Sequence, residues 1–328
     1  MRKRIIMLCL SILVLMPAAM PLFAADVSEA ERHCQAAREL ANTDPQKAEA
    51  EFKAAIAADD KYIPAYLDLA RLLISGNRVA DALTYVDQAI KLDPKNAEAY
   101  FIRGYCYLAL NTKSTLDNAV ASFRQALAIK PDSVPYHRLL ALAYGRLDQG
   151  QEALGEYVKI IKLAPNDAGM RFEYGLALLN AGRLPESATQ LEKAVALDKA
   201  NYQYHWSLGT VYRHQGRYDE AIEQMQTAMN LQPKSAALLC DLGLIYAGKK
   251  DLKTAMEWYK KAVDLDPKLA SGWYNLACAY ALQNDTDNAL ANLEKAFNLF
   301  PDLRKVAAND FDLDSLRGNA RFKSLMNG

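Results

Sequence analysis

The chain repeats itself every 34 residues, and this period limits its possible folds more than any other feature of its 328 residues. Ala55, Ala89, Ala126, Ala194, Ala228, Ala262 and Ala296 lie 34 apart except for one step of 37 and one skipped place, held by Ile160. A second series runs Ala48, Ala82, Ala119, Ala153, Ser187, Ala221, Ala255 and Ala289. A third, also small, is Ala36, Ala70, Gly104, Ala141, Gly175, Gly209, Gly243 and Ala277. Prolines mark the same frame at 94, 131, 165, 233, 267 and 301, with Asp60 and Lys199 in the two remaining places. Three small-residue series in one phase leave no room for chance. A unit of this length is one supersecondary element that cannot bury its apolar face alone and must stack.

The recurring residue types dictate what the element is. Small residues at the eighth and twentieth places let two helices of a unit approach closely, and alanine at the twenty-seventh admits the next unit's first helix. Leu69, Leu140, Leu208, Leu242 and Leu276, with Phe123, Tyr157, Leu191, Met225 and Tyr259, fill the space between. Spacings of three and four keep one face of each helix apolar. Proline after the second helix stops it, and Gly216-Arg217-Tyr218-Asp219 supplies a tight turn between helices. Sparse glycine and proline agree with an all-α chain. The three extra residues of the third unit fall around Asn111 to Asp117, where they are expected to lengthen a surface turn without shifting either helix.

Trp273, Leu276, Ala277, Tyr280, Ala289, Leu293 and Pro301 follow W-x2-L-G-x2-Y, A-x3-F and P, and Leu239, Leu242, Gly243, Tyr246, Ala255, Tyr259 and Pro267 make another copy. This resembles the tetratricopeptide repeat. Departures are local: Trp206 stands one place late, Glu39 takes an apolar place, and Lys199 replaces a proline. The resemblance implies an all-α, right-handed α-solenoid superhelix of about eight helix-turn-helix units over residues 26–303, closed by a capping segment at 304–328. It also implies an inner wall lined by each unit's first helix. Transferring its positions places a partner-binding groove on Phe101, Tyr105, Arg138, Leu142, Phe172, Leu176, Trp206, Thr210, Arg213 and Tyr274. Aromatic, aliphatic and arginine side chains of this kind suit an extended or helical peptide with apolar anchors and a carboxylate. The same side chains could equally complete the core between first helices. The lysine and asparagine pattern by which some relatives grip a C-terminal carboxylate is absent.

Residues 1–25 differ from the rest. Arg2, Lys3 and Arg4 precede an apolar run from Ile5 to Met16, then Pro17, Pro21 and the small pair Ala24 and Ala25. This is the layout of a signal peptide, so the mature chain is expected to begin near Asp26 and to be periplasmic or secreted, with no membrane span after cleavage. The alternative is an uncleaved inner-membrane anchor. Four cysteines then remain, Cys34, Cys106, Cys240 and Cys278, expected as small buried groups; a bridge between Cys240 and Cys278 is left open.

Lysine plus arginine equals aspartate plus glutamate, at 39 each, which disfavours a nucleic-acid partner. No catalytic, phosphate-binding or dinucleotide motif occurs, so no enzyme activity, cofactor or metal is expected. His33, His137, His205 and His214 lack metal-ligand spacing, and carboxylates such as Glu220 and Glu223 read as solvated. The expected function is a protein-interaction scaffold of the cell envelope; the alternative is an accessory or regulatory subunit of an envelope enzyme complex. The partner, the process and the oligomeric state are not legible in the residues.

Overall fold

A computed structural model describes residues 27–327, so the N-terminal segment read as an export signal lies outside the described residues. The chain divides into two compact units, the first ending at Ala109 and the second beginning at Leu110. The first holds α1 (Glu29–Leu40), α2 (Pro45–Ala58), α3 (Ile63–Ser75), α4 (Val79–Leu92) and α5 (Ala97–Leu110), whose last residue already belongs to the second.

The second unit opens with α6 (Lys113–Ile129). Helical hairpins follow: α7 (Val134–Arg146) with α8 (Gly150–Leu163), α9 (Ala168–Asn180) with α10 (Leu184–Leu197), and α11 (Tyr202–His214) with α12 (Tyr218–Leu231). Two more are α13 (Ala236–Gly248) with α14 (Leu252–Leu265) and α15 (Ala270–Leu282) with α16 (Thr286–Leu299). The closing segment forms α17 (Leu303–Ala307), a 3-10 turn at Phe311–Leu316 and α18 (Ala320–Asn327). No strand occurs among the described residues. The chain is an all-α solenoid of helix-turn-helix repeats.

Among the described residues, seven turns between the helices of a repeat are built alike, the turn between α1 and α2 being the exception. Asn77, Asn111, Asp148, Gly182, Gly216, Lys250 and Asn284 all have φ between 55° and 74°, the left-handed region that ends a helix. In six of them the next residue's N–H reaches back to the carbonyl five residues earlier, as from Arg78 to Leu73 at 2.8 Å and from Arg217 to Tyr212 at 2.9 Å. The carbonyls stranded at the helix end are thereby satisfied. Only two of the seven residues are glycine, which meets this geometry without steric cost.

The insertion in the third repeat takes another form than expected. Asn111 keeps the left-handed turn, only Thr112 separates it from α6, and the extra residues lengthen that helix to 17 residues against 14 for α8, α10 and α12. The cause is local. Thr112 and Thr115 cap each other, the Thr115 N–H donating to Thr112 Oγ1 at 3.2 Å and the Thr112 N–H to Thr115 Oγ1 at 2.9 Å. A capping box starts a helix at once and leaves no chain for a loop.

The small-residue series does what its periodicity predicts. A Cβ on Gly175 would lie 2.7 Å from Leu191 Cγ, and one on Gly243 would collide with the Tyr259 ring. Ser187, which interrupts the alanine series, is buried and donates its hydroxyl to the Gly175 carbonyl at 2.7 Å. Leu191, Met225 and Leu293, which follow the same series on second helices, are fully buried. Each contributes about 1.5–3 kcal/mol of apolar burial.

A second recurring device was not legible as such. In five repeats one residue of the first helix donates to the carbonyl six positions earlier, in the link from the preceding repeat. Tyr66 bonds Asp60 at 2.9 Å, His137 bonds Pro131 at 2.8 Å, and Arg171 bonds Pro165 at 2.8 Å. His205 bonds Lys199 at 3.1 Å and Trp273 bonds Pro267 at 2.9 Å. Three of these side chains also hold the second helix of their own repeat. His137 Nδ1 meets Glu156 Oε2 at 2.5 Å, Arg171 donates to Gln190 at 2.9 Å, and His205 Nδ1 meets Gln224 Oε1 at 2.8 Å. Two of the four histidines are therefore clamps on inter-repeat links, and burying them is tolerable because both ring nitrogens find partners.

Candidate partner-binding face

On the first helices, the side chains named from the resemblance fall into two groups. Phe101 and Tyr105 belong to the first unit, where both are half-buried on α5. The other eight belong to the second. Arg138 and Leu142 on α7, Phe172 and Leu176 on α9, and Trp206, Thr210 and Arg213 on α11 are all half-buried. Tyr274 on α15 stands apart, at 6% exposure.

Arg138 and Trp206 are held by the following repeat, and Tyr274 by the closing segment. Arg138 forks onto Glu173, Nε donating to Oε2 at 2.9 Å and the guanidinium tip to Oε1. The Trp206 indole N–H donates to Asp241 Oδ2 at 2.5 Å. Asn275 donates to Cys240 Sγ at 3.3 Å, and the Tyr274 hydroxyl donates to Asp310 Oδ2 at 2.6 Å. In each case one first helix reaches the next, or reaches the closing segment where no further repeat follows. Glu173, Asp241 and Asp310 are the residues that sequence reasoning missed. Glu173 and Asp241 stand one place beyond the groove positions, and a carboxylate on a helix reads by default as solvated. Their signal was a polar residue next to a groove position, 35 residues after a donor.

Between α9 and α11 the contact is apolar instead, the Phe172 ring lying 4.8 Å from that of Tyr204. Beyond it, Thr210 returns its hydroxyl to the Trp206 carbonyl at 3.0 Å. Arg213 meets His214 Nε2 at 3.0 Å and makes no ion pair among the described residues. Burial holds the Asp241 carboxyl above the usual carboxylate range, opposed by the Trp206 N–H and by the nearby Arg213 charge. This part of the face therefore offers aromatic and aliphatic surface with Arg213 and the Asp241 carboxyl beside it.

Cys34, Cys106, Cys240 and Cys278 are all buried and unbridged. Burial pushes the Cys34 and Cys240 thiols up to about 11. Neutral thiols of this kind pack as small apolar groups and are poor nucleophiles. Cys278, Asp310 and Asp312 bring possible ligand atoms within 4.8 Å of one another. Asp310 is already engaged: Oδ2 receives the Tyr274 hydroxyl and, at 3.7 Å, the Cys278 thiol, while Oδ1 accepts the Asp312 N–H at 3.0 Å. The cluster is a latch that fastens the closing segment to α15.

Comparison with known proteins agrees with this geometry. Family models described as tetratricopeptide repeat match residues 67–134, 138–202, 203–268 and 258–291. A peroxisomal targeting signal receptor from Eremothecium gossypii is 28% identical over 131 residues, 40% of this chain and 21% of that one. The chain matches only 11 to 21% of the length of its curated relatives. Among solved structures, a tetratricopeptide repeat protein from Parabacteroides merdae superposes with a TM-score of 0.61 at 14% identity, covering 77% of this chain and 98% of that one. The C-terminal part of a repeat protein from Cytophaga hutchinsonii gives 0.59 at 18% identity, covering 76% and 99%. With matching models running through residues 67–291 and the hairpins seen throughout, this chain belongs to the tetratricopeptide-repeat family.

Proposed function

We propose that this chain is a protein-interaction scaffold of the cell envelope that holds a segment of a partner protein on the first-helix face of its second unit. Tetratricopeptide-repeat proteins are in general interaction scaffolds, and the fold is typically non-enzymatic. The observation that carries the reading is the half-burial of Phe172, Leu176, Trp206 and Thr210. Large apolar groups left partly open in one place are what a partner covers, since isolated ones need no explanation and clustered ones do. The envelope assignment rests on the basic, apolar and small-residue layout of residues 1–25.

Site-specific crosslinking tests the face. A photo-reactive residue at Leu176 is expected to capture a defined partner in intact cells, and one at the exposed Glu223 of α12 is not. Equal capture from both positions would overturn the assignment. For the envelope, the expected result is a mature chain beginning near Asp26 in the envelope fraction, read by mass spectrometry. An intact chain in the cytosol would refute it.

A further inference from the structure

Carboxylates recur at one place on the first helices, directly after the groove position, and their partners differ. Asp68 on α3 has both oxygens on guanidinium groups, Oδ2 accepting from Arg38 at 2.8 Å and Oδ1 from Arg71 at 2.6 Å. Glu173 on α9 has both of its oxygens on Arg138. Asp310, which takes this part on the closing segment, accepts at Oδ2 from Tyr274 and at Oδ1 from the Asp312 N–H. Asp241 on α13 has one neutral donor, the Trp206 indole, on Oδ2 at 2.5 Å. No buried side-chain nitrogen or oxygen among the described residues lacks a partner, so Asp241 Oδ1, which receives no donor there, opens to the surface. Arg213 is the cation whose charge acts on Asp241, yet no ion pair joins the two among the described residues, and the guanidinium donates to His214. A half-buried carboxylate has given up much of its water, and one neutral hydrogen bond returns little of that loss. The raised proton affinity of Asp241 is the sign of the deficit.

We propose that Asp241 is a recognition residue of the partner-binding face, and that the partner segment brings a lysine or arginine to its free oxygen together with apolar side chains for Phe172, Leu176 and Trp206. The proposal rests on the scaffold reading above and names the chemistry that the face selects. Charge complementarity carries it. Where Asp68 and Glu173 stand, the chain supplies guanidinium donors to both oxygens; where Asp241 stands, the second donor is left to come from outside. The Trp206 ring, half-buried and in contact with the carboxylate, gives the methylene stem of a basic side chain an apolar surface to lie on.

The test is a phage-displayed library of random dodecapeptides selected on the full chain, keeping those that bind the parent and fail on Leu176→Arg, which crowds the face. The peptides kept are expected to be rich in lysine or arginine beside aromatic or aliphatic residues. Asp241→Asn, which retains an acceptor for the Trp206 N–H, weakens their binding by about tenfold or more, read by fluorescence anisotropy. Arg213→Gln removes a competing positive charge and strengthens it. Circular dichroism checks that each variant is folded. Kept peptides without basic residues, unchanged affinity in Asp241→Asn, or weaker binding in Arg213→Gln, as a peptide carboxylate seated on Arg213 would give, each overturn the proposal. So does a library that yields no peptide of this kind. If any of these occurs while a photo-reactive residue at Leu176 still captures a partner in cells, the scaffold reading stands and the ligand chemistry falls; if Leu176 also captures nothing, both fall.

Discussion

The two units join their first helices by different means. In the first, a chain of charges runs across α1, α3 and α5: Arg38 donates to Asp68 at 2.8 Å, Arg71 to the other Asp68 oxygen at 2.6 Å, and Arg71 again to Glu98. In the second, the links are of mixed chemistry, guanidinium to carboxylate, indole to carboxylate, amide to thiol and phenol to carboxylate, with one purely aromatic contact between them. A continuous run of ions closes a face against apolar guests, because displacing it leaves charges without partners. An interrupted, partly aromatic run leaves places where a guest's side chain can sit. The comparison teaches that one period can carry two surface chemistries, set by the side chains that the period leaves unspecified.

The contrast can be broken at four points. The largest effect is expected at the closing turn. Leu316→Ala removes a fully buried side chain and costs about 3 kcal/mol. Hydrogen exchange should then show lost protection in α15 and α16 with the first unit unchanged; uniform loss through both units would contradict their separate character. Next, Asp68→Ala strips two arginines of their shared acceptor. Asp68 is 15% exposed and the arginines 39% and 27%, so after solvent screening the loss is about 1 kcal/mol. It should shrink as salt is raised, whereas the Leu316→Ala loss should not. A salt-independent cost at Asp68 would mean that packing, not charge, joins the first unit.

A gain is expected at Lys250, which has φ 64° where glycine fits without cost. Lys250→Gly should stabilise the second unit by about 1 kcal/mol, seen as a raised denaturant midpoint with unchanged slope. The smallest effect concerns Asp241. Burial raises its folded-state affinity for protons, so its favourable contribution is present below the unfolded value of about 3.9 and lost as pH rises through the folded one. Asp241→Asn should therefore be more stable than the parent at neutral pH, by under about 1 kcal/mol, with the gap closing in acid. With Trp258 and Trp273 replaced by phenylalanine, Trp206 emission should titrate above the ordinary carboxylate range. Emission that stays flat to about pH 4 would remove the buried character assigned to this link.

Much of the fold was legible. Ala55 through Ala296 and the proline frame located every hairpin, because small residues are required wherever two backbones approach and the requirement recurs at each repeat. The insertion was placed correctly and given the wrong form, since Thr112 and Thr115 turn it into helix. The candidate face was only half legible. Phe172, Trp206 and Arg213 could be named from their places, but Tyr274, equivalent in sequence, lies beneath Asp310. Which of two equivalent positions is covered depends on a closing segment outside the period, so no repeat-based argument reaches it. His137 and His205 were read as structural, while their task of holding link carbonyls required the distances.

Those clamps carry one more consequence. His137 answers to Glu156, Arg171 to Gln190 and His205 to Gln224, whereas the corresponding residues Leu239 and Trp258 are apolar. A helix that slid by one unit during folding would set His205 against Trp258 in place of Gln224 and leave its Nδ1 without that partner. Repeats alike in outline thus differ where a polar clamp gives way to an apolar one, and a molecule built from near-copies keeps some of its parts distinct.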